Sequence, residues 1–551
     1  MNTIQRTIVL GCGLAILTGC GPDDLASPGT TGDVNITIPT PPPPPPPPPP
    51  TSATATPAGA CPTLTNDGSV TLTDRGTITG PTGGYRVCEL PSLISKSVTL
   101  PKISGLLYAL NGRVDVGCDG GFNAPTAGSN FASTTVGCTA PLNADTNVTL
   151  TIAPGVVLYA RTGQSWLAVN RGNKISAVGT ASAPIVFTSQ DNVAGLNTDS
   201  SIGQWGGVVL LGRGRVTDCV LGSVAAGTCE RDTEGAVNKA YFGGNDDTYN
   251  AGTMSYVQIR YSGFVLSADK ELQSLTGEAI GTGTTIDHFQ SHNSSDDGSE
   301  WFGGAPKMKY YIATGADDDS LDVDTGARMS VQYALLVQRP GEGDALFEID
   351  SNGAETDTPR TNLKVVNFTA IQPQASNQNN STGDKASALF RGNSDTTLYN
   401  GEIITPANEC IRMTSNTDSA NRATLTVKSV VLQCSGTGDA KYIGDGSGSA
   451  PFTSGQVRAF VTGDASNNEA FVNSLTMTFV NGANEDAVTP TDPSGLATGA
   501  TIPVGFFTAT PTPYKIGAAW SANNTWYTGW TCNSNYAALG GASACTSLPV
   551  I

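Results

Sequence analysis

The chain has 551 residues and a formal charge of −18, from 29 Lys+Arg against 47 Asp+Glu. That balance argues against nucleic-acid binding, which needs clustered Lys and Arg for phosphate contacts, and the two His make a His-based zinc enzyme a poor fit. With 65 Gly, 34 Pro and only 14% charged residues, the composition does not suit a helical protein, since helices favour Ala, Leu, Glu and Lys.

Residues 1–19 read as a signal peptide. Arg6 supplies the positive end, and Ile8 to Leu17 is an apolar run of about ten residues, too short to span a bilayer. It ends in Leu17-Thr18-Gly19-Cys20, which resembles a bacterial lipobox. The resemblance implies cleavage before Cys20 and lipidation of Cys20. Gly21 rather than Asp after it implies the outer membrane, with the anchor on the cell surface or the periplasmic face. Several acyl chains on one residue anchor stably. Residues 20–60 form a Pro-rich linker without a core, expected to be disordered, and Pro41 to Pro50 is unbroken. In polyproline II that run is a stiff spacer of roughly 31 Å.

Cys12 leaves with the signal and Cys20 takes lipid, so ten cysteines remain. An even number in an exported chain suggests disulfides. Sequence neighbours are expected to pair: Cys61–Cys88, Cys118–Cys138, Cys219–Cys229, Cys410–Cys434 and Cys532–Cys545. A loop closed beside its own coil needs little chain search, although sequence alone leaves the connectivity open. No CxxC is present, so neither a redox pair nor a zinc knuckle is signalled.

Residues 61–140, with two of these pairs, are expected as an N-terminal cap region, and residues 481–551, with one, as a C-terminal cap. Between them, over 141–480, short apolar strands alternate with Gly, Asn and Asp turns. Val148 to Ile152 is followed by Pro154-Gly155 and then Val156 to Tyr159; Lys174 to Val178 and Pro184 to Thr188 continue the pattern. Such punctuation predicts an all-β fold. Phe289 to Asp297 is echoed by Tyr310 to Asp318 at an offset of about 21 residues, the scale of one coil of a solenoid. The predicted fold is therefore a single-stranded parallel β-helix. Alternation turns Val257, Ile259, Phe289, Tyr310 and Ile312 inward, and Gln258, Arg260, His288, Gln290 and His292 outward. A β-sandwich array is the alternative; it calls for antiparallel hairpins with Asn-Gly turns, which are scarce.

Several stretches resemble a family of Gly-rich exported bacterial proteins with a right-handed parallel β-helix. They are Pro184 to Ser189, Trp205 to Val209, Tyr241 to Asp247, Tyr256 to Gly263 and, above all, Asp296-Asp297-Gly298-Ser299-Glu300-Trp301-Phe302-Gly303-Gly304, followed by Asp317 to Gly326. The tail, with Tyr514, Gly517-Ala518 and Trp526 to Trp530, fits the same likeness, which covers roughly residues 145–531. It implies fold and exported location, and offers almost nothing on activity.

The acidic turns carry the candidate chemistry. Asp296, Asp297 and Glu300 lie in one turn; Asp317, Asp318, Asp319, Asp322 and Asp324 lie one coil later. Stacking places Asp297 within roughly 5 Å of Asp318, the inter-strand spacing. Carboxylates so close repel unless a cation, a proton or a basic partner compensates, and oxygen ligands in turns suit Ca²⁺. The set Asp296, Asp297, Asp317, Asp318, Asp319, Asp322 and Asp324 is thus the candidate Ca²⁺ site; no organic cofactor is signalled. Glu348 to Gly353 begins like a calcium loop, but Pro359 stands where the closing Glu would be, so it is no EF-hand. Three readings compete: structural turns, a cation that also bridges an anionic ligand, and a carboxylate pair for glycoside cleavage drawn from Asp297, Glu300, Asp318 and Asp319. A lyase would instead need Ca²⁺ with an Arg base, for which Arg260, Arg328 and Arg339 are available.

Trp301 and Phe302 follow the acidic turn, where an aromatic face could pack on a sugar or plug a coil corner. His288 and His292, i and i+4 on one strand beside Asp287, are candidate binding residues, as is Arg260. HExxH, GxSxG and Walker motifs are all missing, and Gly212-Arg213-Gly214-Arg215 is not followed by a credible helix. The expectation is a monomeric, membrane-anchored β-helix that binds an extracellular ligand such as polysaccharide. A polysaccharide lyase or glycoside hydrolase, and an accessory protein of an outer-membrane transporter, are the alternatives.

Overall fold

Val, Ile, Leu and Thr favour a pleated, half-buried surface, and Gly, Asn and Asp end each run. The computed structural model describes residues 54–549 apart from 268–269, 352, 354, 377–385, 500 and 521–523. The expected signal peptide, the expected lipidation site at Cys20 and the proline run lie outside the described residues. The described strands stack as a parallel β-helix. One long sheet runs in spatial order through Gly83–Glu89, Leu106–Leu110, Val157–Ala160, Ile185–Ser189, Gly252–Arg260, Thr285–His292, Lys307–Thr314, Arg328–Val337, Asn362–Ile371, Asp395–Thr405 and Thr424–Cys434. A second runs through Leu93–Ile94, Arg113–Val116, Trp166–Val169, Gly207–Leu211, Leu275–Glu278, Ser299–Phe302, Asp322–Asp324, Phe347–Ile349, Ala388–Phe390, Ile411–Thr414 and Tyr442–Asp445. The core lies between them and runs the length of the coil.

From Gly252 onward each long strand bends midway at a residue with positive φ: Tyr256, His288, Tyr310, Tyr333, Asn367, Asn400 and Ser429. Registers align these residues in one column. The bend resets the in–out alternation, so Met308 and Tyr311 both enter the core while Ile312 packs on the outer side. This corrects the uniform alternation expected from sequence. Val257, Ile259 and Phe289 are inward as read, but Tyr310 stands at the corner and Phe289 pairs with Tyr311. The offset at the acidic turn is 22 residues rather than 21.

Inside the second sheet, Gly277 pairs with Trp301. A Cβ on Gly277 would lie 2.2 Å from Trp301 Cε3, so the indole fills the space of the missing side chain. Gly277→Ala is expected to destabilise the protein by about 1–3 kcal/mol through overpacking, read as a lower midpoint with unchanged slope in urea unfolding.

The ends differ from expectation. Strands of residues 83–116 already belong to the two long sheets, so the coil begins well before residue 141. The last residues of the expected linker are also part of the fold: Ala55 N–H donates to Thr82 O (2.9 Å), and Ala58 N–H to Gly105 O (3.0 Å). The far end of the core is closed by a helix, Ser454–Thr462, started by a capping box of Thr453 and Gln456, which buries Val457 and Val461 against it.

The segment expected as a C-terminal cap is a lateral strap on the outer face of the long sheet. Asn367 Nδ2 donates to Lys515 O (2.8 Å). Trp520 then packs on Tyr333, Trp526 on Tyr310, and Trp530 on His288 and Tyr256, with ring centroids 5.3–6.0 Å apart. Arg260 Nη1 donates to Cys545 O (2.9 Å) and Ser547 O (2.8 Å), and Leu548 joins Tyr85, Val87 and Leu107. The strap thus travels back from the late coils to the first ones. All five neighbour disulfides are formed. Two excursions, 212–251 and 261–274, on either side of the strand Gly252–Arg260, cover part of the second sheet, packing Cys229, Phe242 and Leu272 on Trp166, Val209 and Phe302.

Candidate cation-binding stack

The acidic residues lie where the chain turns from the long sheet into the second sheet, beside the 261–274 excursion, whose Gln273 Nε2 donates to Asp296 Oδ2 (3.1 Å). Strand pairing puts Glu300 beside Asp322 and Asp322 beside Glu348 on the outward side of the second sheet. In the preceding turn, Asp297 Oδ1 accepts the Asp319 N–H (2.9 Å), and Asp319 Oδ1 accepts the Ala345 N–H (2.6 Å). Each coil therefore hands one carboxylate oxygen to the backbone of the next, which fixes the spacing of the column.

Three overlapping groups result: Asp296, Asp297 and Asp318; Asp297, Glu300 and Asp322; and Asp318, Asp319 and Asp344. In each, one oxygen per residue lies within 4.8 Å of the others. Asp297 and Asp318 each belong to two groups. Asp322 Oδ1 is buried and accepts no hydrogen bond among the described residues.

Burial, reinforced by neighbouring negative charge, carries Asp296, Asp297, Glu300, Asp319 and Asp322 well above the usual carboxylate range. Burial and Glu348 push Asp318 up to about 6; burial and Asp350 push Asp324 up to about 7. Glu234 and Glu271, one from each excursion, add negative field at Asp296. Arg391 approaches from a later coil, 2.5 Å from Glu348 and 2.9 Å from Asp350.

Two of the expected metal residues stand aside from these groups. Asp317 pairs with Arg339, and Asp324 lies on the outward side of the second sheet, its Oδ1 accepting the Thr325 N–H (2.7 Å). Asp344 and Arg391 were not singled out from sequence. The next spacing in this column grows to 26 residues, and longer loops precede Arg391, so a fixed repeat does not reach them.

The expected binding residues are elsewhere. Trp301 is fully buried in the core, its Nε1 donating to Ser299 Oγ (3.1 Å), and presents no face to a ligand. Arg260 is fully buried under the strap. The two His do not share a site. His288 is sandwiched at the corner between Tyr256 (4.2 Å) and Tyr310 (4.4 Å), while His292 is buried beneath the strap with Nδ1 2.9 Å from Thr314 Oγ1. Strap segments cover both because the outward face of the long sheet is here an internal interface. Of the arginines considered as a base, Arg328 is held by both oxygens of Asp247 (2.7 and 2.6 Å) and Arg339 by Asp317.

The stacked parallel coils, with a carboxylate column on one side, make this a parallel β-helix protein. The model of the pectate-lyase-like β-helix domain matches residues 131–478, and the chain belongs to that family. No curated protein and no solved structure matches it.

Proposed function

We propose that the protein is an exported, lipid-anchored binding protein whose carboxylate stack takes Ca²⁺ and, through it, an extracellular polysaccharide. The observation that carries this reading is the set of three overlapping carboxylate groups, each within 4.8 Å, on one side of the coil. Ca²⁺ accepts 6–8 oxygens at about 2.3–2.6 Å in adaptable geometry. The stack offers carboxylates in excess of its only close guanidinium among the described residues, Arg391, and a cation relieves their repulsion. Ligand oxygens and water would complete the shell. Family membership in a pectate-lyase-like domain is compatible with a glycan ligand. The lipid anchor at Cys20 and the outer membrane are supported by the lipobox likeness alone; loss of membrane association in Cys20→Ser tests them.

Calorimetry with Ca²⁺ before and after chelation tests the site. Asp297→Asn, which touches two of the three groups, is expected to weaken Ca²⁺ at least tenfold while the protein stays folded. No heat and no shift in melting on adding Ca²⁺ would remove the proposal. Retardation in gels containing pectate or alginate, reversed by chelator, tests the glycan part.

A second reading, a glycoside hydrolase, is favoured by one observation. Asp297, Glu300 and Asp322 approach within 4.8 Å, near the ~5 Å separation of retaining enzymes, and their raised protonation suits a general acid. Release of reducing ends, abolished by Asp297→Asn, would select it. A lyase has less support, because Arg260, Arg328, Arg339 and Arg391 are all held in other bonds.

A further inference from the structure

We propose that Glu402 is a proton-dependent latch for the strap: with its carboxyl protonated the strap lies closed over the coil at Gly517, and loss of that one proton releases it. The latch does not depend on the cation or the glycan reading above.

Glu402 belongs to the strand Asp395–Thr405 and is fully buried where the strap returns over the long sheet. Gly517 is the strap residue that meets it. It has φ +80°, and a Cβ there would lie 2.6 Å from Asn481 Oδ1, 3.0 Å from Glu402 Oε1 and 3.3 Å from Thr369 Oγ1. Only glycine lets the strap lie this close. The strap backbone is tied down around this point. Gly517 N–H donates to Asn400 O (2.9 Å) and Ala518 N–H to Thr369 Oγ1 (3.0 Å). Asn481 donates from Nδ2 to Ile516 O (2.9 Å) and from its backbone N–H to Ala519 O (2.9 Å). Thr369 in turn gives its hydroxyl hydrogen to Glu402 Oε1 (2.7 Å).

The bonding pattern suits the acid form of Glu402. Its Oε1 takes one donor, and its Oε2 is buried with none among the described residues. Asn481 Oδ1, also beside Gly517, is buried without a donor as well. Two acceptors around one glycine lack a hydrogen, and a protonated carboxyl brings one. Glu485 shows the contrast. Equally buried, it takes Ser474 N–H (2.7 Å), Ser474 Oγ–H (2.6 Å) and Gly482 N–H (2.9 Å), the pattern of an anion. Among the described residues no cation faces Glu402. Thr369 and Val431 stand on the neighbouring strands, the strap brings Gly517, and Lys515 is turned away to Asp486 O. Burial and the charge of Glu485 push the Glu402 carboxyl up to about 8.

Ionised beneath a closed strap, Glu402 is a buried charge without a partner, and opening the strap to water relieves it. Once open, it gives up its proton near the ordinary 4.5. The closed form is therefore favoured most below pH 4.5, each unit between 4.5 and 8 multiplies the open fraction about tenfold, and the effect levels off above 8.

Hydrogen exchange at the amides of 516–520, divided by the rates of an unfolded peptide, reads the open fraction. Between pH 5.5 and 7.5 it is expected to rise about a hundredfold in the wild-type protein and less than about threefold in Glu402→Gln. The glutamine keeps the acceptor for Thr369 and carries a permanent donor. The same pH dependence in both proteins overturns the latch. If the variant does not fold, the wild-type protein decides: exchange at 516–520 is expected to rise about tenfold per pH unit relative to Arg113–Val116 in the second sheet, and a constant ratio overturns the latch.

Discussion

Titrating the chelator-treated protein with Ca²⁺ at pH 7 is expected to release at least one proton per cation bound. Asp318, at about 6, is partly protonated there, and burial holds Asp296, Asp297, Glu300, Asp319 and Asp322 higher still. A cation replaces those protons. Calorimetry in two buffers of different ionisation enthalpy gives the number directly; heats independent of the buffer would contradict the placement of the cation in this stack. The same groups, together with Asp324 at about 7, set the stability profile. Their folded values lie above the ordinary value of 3.8 for Asp, so their contribution is complete below about pH 4 and is lost as pH rises through 6, 7 and beyond. In chelator, the melting temperature is expected to fall between pH 5 and 8. Saturating Ca²⁺ should flatten or reverse the decline, since a ligand at a thousand times its Kd adds about 4 kcal/mol.

Trp530→Ala is expected to produce the largest loss of stability from a single change in the strap. Trp530 is fully buried, meets Tyr256 and His288 edge-on at 5.9 and 5.7 Å, and donates from Nε1 to Trp526 O (2.7 Å). Removing a buried Trp side chain costs about 3–5 kcal/mol. Hydrogen exchange should localise the effect, with faster exchange along Gly252–Arg260 and Thr285–His292 and unchanged protection in Asp395–Thr405. Uniform loss of protection over the whole coil would show instead that strap and coil unfold as one unit.

The coil was legible because each turn repeats the same local chemistry: β-branched residues between Gly and Asp, at a nearly constant interval. Inward positions such as Val257, Ile259 and Phe289 followed from alternation alone. The corner residues were not legible. A positive φ at Tyr310 or Tyr333 leaves no mark in composition, since tyrosine rarely adopts it, and it shifts every inward assignment downstream by one. The acidic turns were found because Asp296-Asp297 and Asp317-Asp318-Asp319 fall one coil apart. Asp344 escaped because the loop before it lengthens. The strap misled most. Gln258, Arg260 and His292 are outward on their sheet, as alternation says, yet buried, because the residues that cover them arrive hundreds of positions later: Arg260 and Ser547 are 287 apart.

That separation bears on how the protein reaches its folded state. Early coils can zip up as they emerge, but their lateral sheet stays naked until the last stretch of polypeptide is delivered. A chain halted before residue 515 would expose Ile312, Leu335 and Val337 as a sticky band and invite aggregation.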